Sequence, residues 1–213
     1  MRSSEPIPGN PWPHEMTITV EDRPNQLLEL LWLREAYALH PEGDDLPPML
    51  VQTPERATAA IDDATRAGWE AAWARIWRET VQHAGREFDA ALFAQLEGLA
   101  AGSAERESAL QELFGPNWAD EYGRDALQDP SWMSWEQRGI DAFIASRPDA
   151  HQNSPERRDL EALLPAWRAG LTKIVSIPCR GEHTRKLGSN ALLVTAGTRA
   201  DSDRYRAALR SFR

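Results

Sequence analysis

Residues 173–196 read KIVSIPCRGEHTRKLGSNALLVTA, and this stretch decides the fold class. Its two ends, residues 173–178 and 190–196, are short runs rich in β-branched and aliphatic side chains, a composition typical of strands. The eleven residues between them, 179–189, are mostly polar and contain two glycines. The pattern predicts two antiparallel strands joined by a loop that is too long to be a tight turn.

A third strand is predicted near the start of the chain, at residues 16–20. Ile18 and Val20 alternate there with Thr17 and Thr19, which is the period-2 pattern of a strand. An isolated hairpin is marginal in water, so pairing with this segment would give a more stable three-stranded sheet.

Helical patterns fill most of the chain between these strands. Residues 27–39 are apolar on nearly every face, which predicts a buried central helix. The triplets TPE at 53–55 and SPE at 154–156 each supply a cap, a proline for the first helical position and an acid, so both predict a helix start. We therefore expect an α+β fold: a predominantly helical body with a small antiparallel sheet, formed by the C-terminal hairpin, to which the N-terminal strand can add.

Composition divides the 213 residues into an arm and one globular domain. Residues 1–14 contain four prolines and are expected to form an irregular arm. Residues 15–213 are expected to form a single domain, with a helical body over about 22–170 and a basic hairpin plus terminal helix over 171–213.

Charge is distributed unevenly along the chain. Residues 165–213 carry ten Lys and Arg against three acids, a net charge of +7, whereas the whole chain carries −9. The acidic total disfavours binding to DNA or to acidic membranes. A basic end that simply docks on an acidic body would explain the asymmetry equally well.

The sequence contains no signal-peptide pattern and no uncharged apolar run of about 18 residues. Its single cysteine, Cys179, excludes an internal disulfide framework. We therefore expect a soluble cytoplasmic protein without a membrane partner.

The loop at residues 179–189 is the first candidate site. It brings Arg180, His183, Arg185 and Lys186 together beside two glycines. Clustered cationic side chains with free backbone N–H groups can bind a phosphate or a carboxylate, so these four residues are anion-binding candidates. The alternative is a solvated hairpin tip that binds nothing.

Two further patterns give weaker indications of a functional site. Cys179 precedes His183 by four residues, which makes Cys179 a candidate reactive thiol, although no third orienting group is evident. Glu79, His83 and Glu87 are spaced by four, but a glycine interrupts that helix and no second ligand set follows. No metal site is predicted, and no pattern identifies a cofactor.

Trp69, Trp73 and Trp77 are also spaced by four and fall on one helix face. An aromatic stripe of this kind is most often core, and small or apolar neighbours such as Ala72 and Ile76 widen the apolar face. Tryptophan is also enriched at interfaces, so the three residues are candidates for contact with a partner.

The sequence has no Walker loop, no Rossmann glycine pattern, no nucleophile elbow and no C-x-x-C pair. We therefore expect a protein-interaction or regulatory module that contacts a protein partner or itself. The alternative is an enzyme or binding protein for a small phosphate- or carboxylate-bearing ligand at the loop of residues 179–189. Nucleic-acid binding through the basic C-terminal segment is a distant third.

Overall fold

The computed structural model describes residues 11–87, 89–116, 118–145 and 154–212. Within these ranges the strands form one sheet in the order β1-β2-β4-β3. The strands are β1 (Thr19–Glu21), β2 (Lys173–Ile177), β3 (Thr184–Leu187) and β4 (Ala191–Thr195). Strand β2 pairs in parallel with both β1 and β4, whereas β3 pairs antiparallel with β4. The sheet is therefore mixed.

In the described part of the chain, most helices lie between β1 and β2 in sequence, and two follow β4. They are α1 (Asn25–Ala36), α2 (Asp63–Ala84), α3 (Ala90–Leu96), α4 (Ala104–Phe114), α5 (Ala119–Tyr122), a 3-10 helix (Arg124–Gln128), α6 (Pro130–Ala145), α7 (Pro155–Arg158), α8 (Leu160–Arg168), α9 (Ala196–Ala200) and α10 (Ser202–Ser211). The predicted α+β class is confirmed.

The antiparallel pairing predicted for the two runs in residues 173–196 is wrong. These runs form β2 and β4, which are neighbours but parallel. The segment 179–189 is long enough to hold β3 and a turn, in which Gly188 adopts a positive φ of 55°. The hairpin therefore joins β3 to β4. Strand β4 is buried along its whole length, as expected for a parallel strand that is covered on both faces.

One of the two predicted helix starts is confirmed. Ser154 caps α7 by accepting a hydrogen bond from a backbone N–H three residues later, at 3.3 Å. The triplet at 53–55 starts no helix, and the segment just before it is attached to the sheet: the N–H of Val51 donates to the carbonyl of Pro178 at 2.9 Å. Helix α2 begins only at Asp63.

Two apolar cores cover the two faces of the sheet. The first packs α1, α2, α6 and the aromatic residues near α5 against one face, which contributes Val175, Ile177 and Leu193. The second packs α8 and α10 against the other face, which contributes Ile174 and Leu192. The result is a three-layer arrangement with the sheet in the middle. Among the described helices, none has the length and apolar character needed to cross a membrane.

The start of the chain joins the second core. Of the predicted arm, residues 1–10 lie outside the described residues, and Trp12 is buried with its indole N–H donating to the carbonyl of Met16 at 2.9 Å. Met16 and Ile18 belong to the same core. Strand β1 starts at Thr19, three residues after the start of the predicted segment 16–20.

Candidate functional site

The four cationic candidates lie on different sides of the sheet. Side chains alternate between the two faces of the sheet along β3. The carbonyl of His183 accepts a hydrogen bond from the N–H of Thr195 at 3.2 Å, so the pairing of β3 with β4 extends to His183. His183 and Arg185 therefore point to the same face as Leu187, toward the first core. Lys186 points the opposite way, with its Nζ 4.4 Å from the ring centroid of Phe212.

Arg180 has a separate position as well. Its Nε donates to the carbonyl of Leu50 at 2.8 Å, and its Nη2 donates to Oγ1 of Thr53 at 3.1 Å. Its backbone N–H donates to the carbonyl of Met49 at 2.8 Å. Arg180 thus attaches the segment 49–53 to the end of β2, which is a structural role.

His183 and Arg185 form the part of the predicted site that stays together. The Nε2 of His183 and the Nη1 of Arg185 are both buried, and neither has a hydrogen-bond partner within the described ranges. A buried polar atom without a partner is costly, by about 1–3 kcal/mol. We call these two residues, together with Asp45, whose charge acts on His183, the His183 niche.

The electrostatics of the His183 niche keep the imidazole neutral. Burial lowers the pKa of His183, the charge of Arg185 lowers it further, and the carboxylate of Asp45 opposes both effects. Asp45 is exposed and adopts a left-handed backbone conformation with φ of 59°. Non-glycine residues rarely adopt this backbone conformation, although Asp tolerates it better than most. The niche thus combines a ring nitrogen whose pKa is lowered with a guanidinium N–H that has no partner in the described ranges.

Cys179 has the properties of a structural thiol. It is buried at the end of β2, where it forms an isolated bridge with Leu50. Burial raises the pKa of its thiol to about 12, with the charge of Arg34 opposing and that of Glu35 adding to the rise. A reactive thiol needs the opposite shift.

The tryptophan stripe of α2 is mainly core. Trp73 and Trp77 are fully buried and stack with ring centroids 5.3 Å apart at 8°. The indole N–H of Trp73 donates to the carbonyl of Leu30 at 3.1 Å. Trp69 is half-buried and meets the ring of Tyr37 edge to face at 5.1 Å. Of the three residues of the stripe, Trp69 alone therefore presents any surface to a partner.

The three residues considered as metal ligands each contact a different partner. Glu79 pairs with Arg75 at 3.4 Å, the Nε2 of His83 lies 3.0 Å from the carbonyl of Glu112, and Glu87 accepts from Thr172 at 2.7 Å. In the part of the chain that the structure describes, no group of three or more His, Cys, Asp or Glu side chains could hold a metal ion.

Two clefts are also present, and the sequence predicted neither. One, of about 520 Å³, opens where α1 begins, between the end of α2 and the hairpin of α3 and α4. The other, of about 550 Å³, is a groove between α8 and α10. Their linings combine residues that are far apart in the chain, so no local motif indicates them. Asp45 was not predicted for the same reason, since it lies far from His183 in sequence although its charge acts on that residue.

Comparison of the chain with protein-family models, with curated proteins and with solved structures finds no match. The functional argument therefore rests on the geometry of the described residues.

Proposed function

We propose that the protein binds a small anion, a phosphate or a carboxylate, in the His183 niche. One observation carries the proposal: on one face of β3, Nε2 of His183 and Nη1 of Arg185 are both buried nitrogens without a hydrogen-bond partner in the described ranges. Guanidinium N–H groups donate strong hydrogen bonds to anionic oxygens. A bound oxyanion would satisfy Arg185 directly and His183 in its Nε2-protonated tautomer.

The charges around the niche limit the size of the ligand. Arg185 supplies one full positive charge, His183 is held neutral, and the carboxylate of Asp45 opposes an anion. A polyanion would therefore gain little electrostatic binding energy at the niche, and the net charge of −9 on the chain disfavours its binding further. These features support a small phosphate- or carboxylate-bearing ligand over nucleic acid.

A thermal-shift experiment with phosphate, sulfate and acetate tests this function at constant ionic strength. A ligand at ten times its Kd is expected to raise the Tm by about 3–5 °C, because it binds only the folded state. Arg185→Met should abolish the shift. Lys186→Met is the matched control, because Lys186 is the next residue on the same strand and faces the other side of the sheet.

The proposal is rejected if no anion raises the Tm of the wild-type protein. It is equally rejected if Arg185→Met and Lys186→Met give the same shift as the wild type. Circular dichroism of both variants will show whether they fold, and phosphate titration followed by NMR supplies a second measurement on the folded protein.

The outer face of α6 favours a second function, contact with a protein partner. The side chains of Met133 and Ile144 are both 65% exposed. The two residues are eleven positions apart in α6, close to three full turns, so they lie on nearly the same face of the helix. We propose that two copies of the chain associate through this face in the cytoplasm. Burial of Trp73 and Trp77 leaves this face as the better basis for an interaction module.

Self-association is tested by light scattering after size exclusion over a range of protein concentrations. The wild type should show a mass above 23.9 kDa that rises with concentration. Met133→Gln with Ile144→Gln should return the monomer mass, whereas Met49→Gln, an exposed methionine outside α6, should have no effect. A monomer at every concentration would contradict this proposal.

A further inference from the structure

The groove between α8 and α10 has an apolar floor. Ala162 and Ala166 of α8 line it together with Leu209 and Phe212 from the end of the chain, and all four side chains are buried parts of the second core. The open space above them is about 550 Å³. Apolar side chains that enter this space are removed from water, which favours their binding.

The α10 rim of the groove carries two arginines with unused donors. Arg206 and Arg210 are four residues apart and therefore lie one turn from each other on the same face of α10. The Nε of Arg206 donates to the carboxylate of Asp159 at 2.7 Å, and its two terminal nitrogens have no partner among the described residues. Arg210 is exposed and forms no hydrogen bond or ion pair with any residue that the structure describes. The rim can thus donate to two carboxylates.

The carboxylate of Asp159 does not neutralise this rim. It is shared by two arginines, since Arg158 and Arg206 each lie 2.7 Å from one of its oxygens. Two arginines against one carboxylate leave a net charge of +1, and Arg210 raises it to +2. The α10 rim is therefore complementary to an acidic surface.

The α8 rim carries acceptors instead. Pro165 lies inside α8 and has no backbone N–H, so the carbonyl of Glu161, four residues earlier, lacks its usual helical donor. Both residues are exposed and line the groove, and Glu161 adds its carboxylate. A complementary occupant has acids on the flank that faces α10 and donors such as lysine on the flank that faces α8.

The shape of the groove suits a helix. Alanines at 162, 166 and 169 place small side chains along the α8 side at helical spacing, so the backbone of a third helix can pack closely there. Helix α10 has ten residues and is about 15 Å long, so an occupant of about three turns covers it. Two acids four residues apart on such a helix match the spacing of Arg206 and Arg210.

We infer that the groove between α8 and α10 binds an amphipathic helix of a partner protein. The apolar stripe of that helix lies on the floor of the groove, and two acids four residues apart bind Arg206 and Arg210. This surface is separate from the His183 niche and from the outer face of α6, because its lining contains no residue of either.

Fluorescence anisotropy with a labelled synthetic helix tests the inference on the full chain. The probe has about 14 residues, with leucines three and four apart, glutamates four apart on one flank and lysines on the other. It should bind saturably. Replacing the flanking glutamates with glutamine should weaken binding about tenfold, because two charged pairs are lost. A proline at the centre of the probe should weaken binding at least as much, because it breaks the helix.

Variants of the protein test each part of the groove. Arg206→Met with Arg210→Met should weaken the glutamate probe about tenfold and leave the glutamine probe unchanged. Arg210→Glu, which leaves the contact with Asp159 intact, should shift the preference toward a probe with lysines in place of the glutamates, by at least about tenfold. Ala169→Trp should fill the groove and weaken both probes. Arg204→Met is the matched control, because Arg204 is an exposed arginine of α10 outside the lining.

Four results would overturn the inference. The glutamate probe shows no saturable binding, or the glutamine probe binds as tightly. The proline probe binds as tightly as the helical one, which excludes a helix as the occupant. Every folded arginine variant retains wild-type affinity. Light scattering of the protein alone gives the last test: if Arg206→Met with Arg210→Met lowers its mass, the groove holds a second copy of the chain and not a separate partner.

Discussion

Arg199 binds Glu156 through two parallel hydrogen bonds, with its Nε 2.7 Å from Oε1 and its Nη2 2.9 Å from Oε2. The same guanidinium contacts Asp22 through Nη1 at 2.6 Å, and the hydroxyl of Tyr205 donates to Oε1 of Glu156 at 2.9 Å. These bonds link the segment after β1 to α7, α9 and α10. The network therefore joins the segment after β1 to the last helices of the described chain.

Glu156→Gln should lower the free energy of unfolding by about 2–3 kcal/mol. This is less than the full cost of breaking a buried pair, because Asp22 still faces Arg199 in the variant. Urea unfolding of wild type and variant measures the difference. Glu55→Gln is the matched control: its pair with Arg138, at 3.8 Å, is exposed and should contribute less than about 1 kcal/mol. Equal costs for the two variants would contradict the role of the network.

The same pair predicts a pH dependence of stability. Burial alone would raise the pKa of the Glu156 carboxyl, but the hydrogen bonds and charge of Arg199 outweigh it and hold the pKa below its ordinary value. The stabilisation is therefore fully present above the ordinary carboxyl pKa of about 4.3 and is lost as the pH falls through the lower, folded-state value. The stability difference between wild type and Glu156→Gln should shrink over that acidic range in urea titrations at stepped pH.

The sequence predicted which residues form the central strands but not how they pair. A run such as 191–195 is apolar on both faces, which fits any fully buried strand, whether parallel or antiparallel. Its direction relative to β2 depends on β3, whose sequence TRKL lacks the apolar character of a typical strand. Pairing with β4 across a tight turn overrides that weak local preference.

The candidate site was predictable only in part for a similar reason. Sequence proximity grouped Arg180, His183, Arg185 and Lys186, yet the period of two along a strand sends Lys186 to the opposite face. Arg180 leaves the group because it bonds to Leu50, a residue 130 positions away. Contacts of this range have no signature in a short stretch of sequence.

The two tryptophans Trp73 and Trp69 should differ in their contribution to stability. Trp73→Ala is expected to cost about 3–5 kcal/mol, since it removes a fully buried ring and leaves a cavity. Trp69→Ala should cost clearly less, because Trp69 is half-buried and solvent can fill the space. Urea unfolding of the two variants provides the comparison. A larger loss for Trp69→Ala would contradict the assignment of Trp73 to the core.

Cys179 should resist alkylation in the folded protein. Its thiol is buried and has a pKa of about 12, so the thiolate fraction at pH 8 is at least about a thousandfold below that of a free cysteine. Iodoacetamide labelling followed by mass spectrometry should therefore be slow in buffer and fast in denaturing urea. Rapid labelling of the folded protein would contradict this prediction and show that Cys179 is a reactive thiol.

His183 should titrate below the ordinary histidine range. Burial, and then the charge of Arg185, lower the pKa of its imidazole. The unfolded chain takes up this proton at about pH 6.5 while the folded protein does not, so stability should fall as the pH drops from about 6.5 to the folded pKa and level off below it.

NMR titration of the His183 ring protons measures this pKa directly. Arg185→Met should raise the pKa toward its ordinary value by removing a neighbouring positive charge, whereas Lys186→Met should change it little because Lys186 lies across the sheet. Phosphate bound in the His183 niche should also raise the pKa, since the anion favours the protonated ring. A pKa at or above about 6.5 in the protein without added anion would show that His183 is not held neutral.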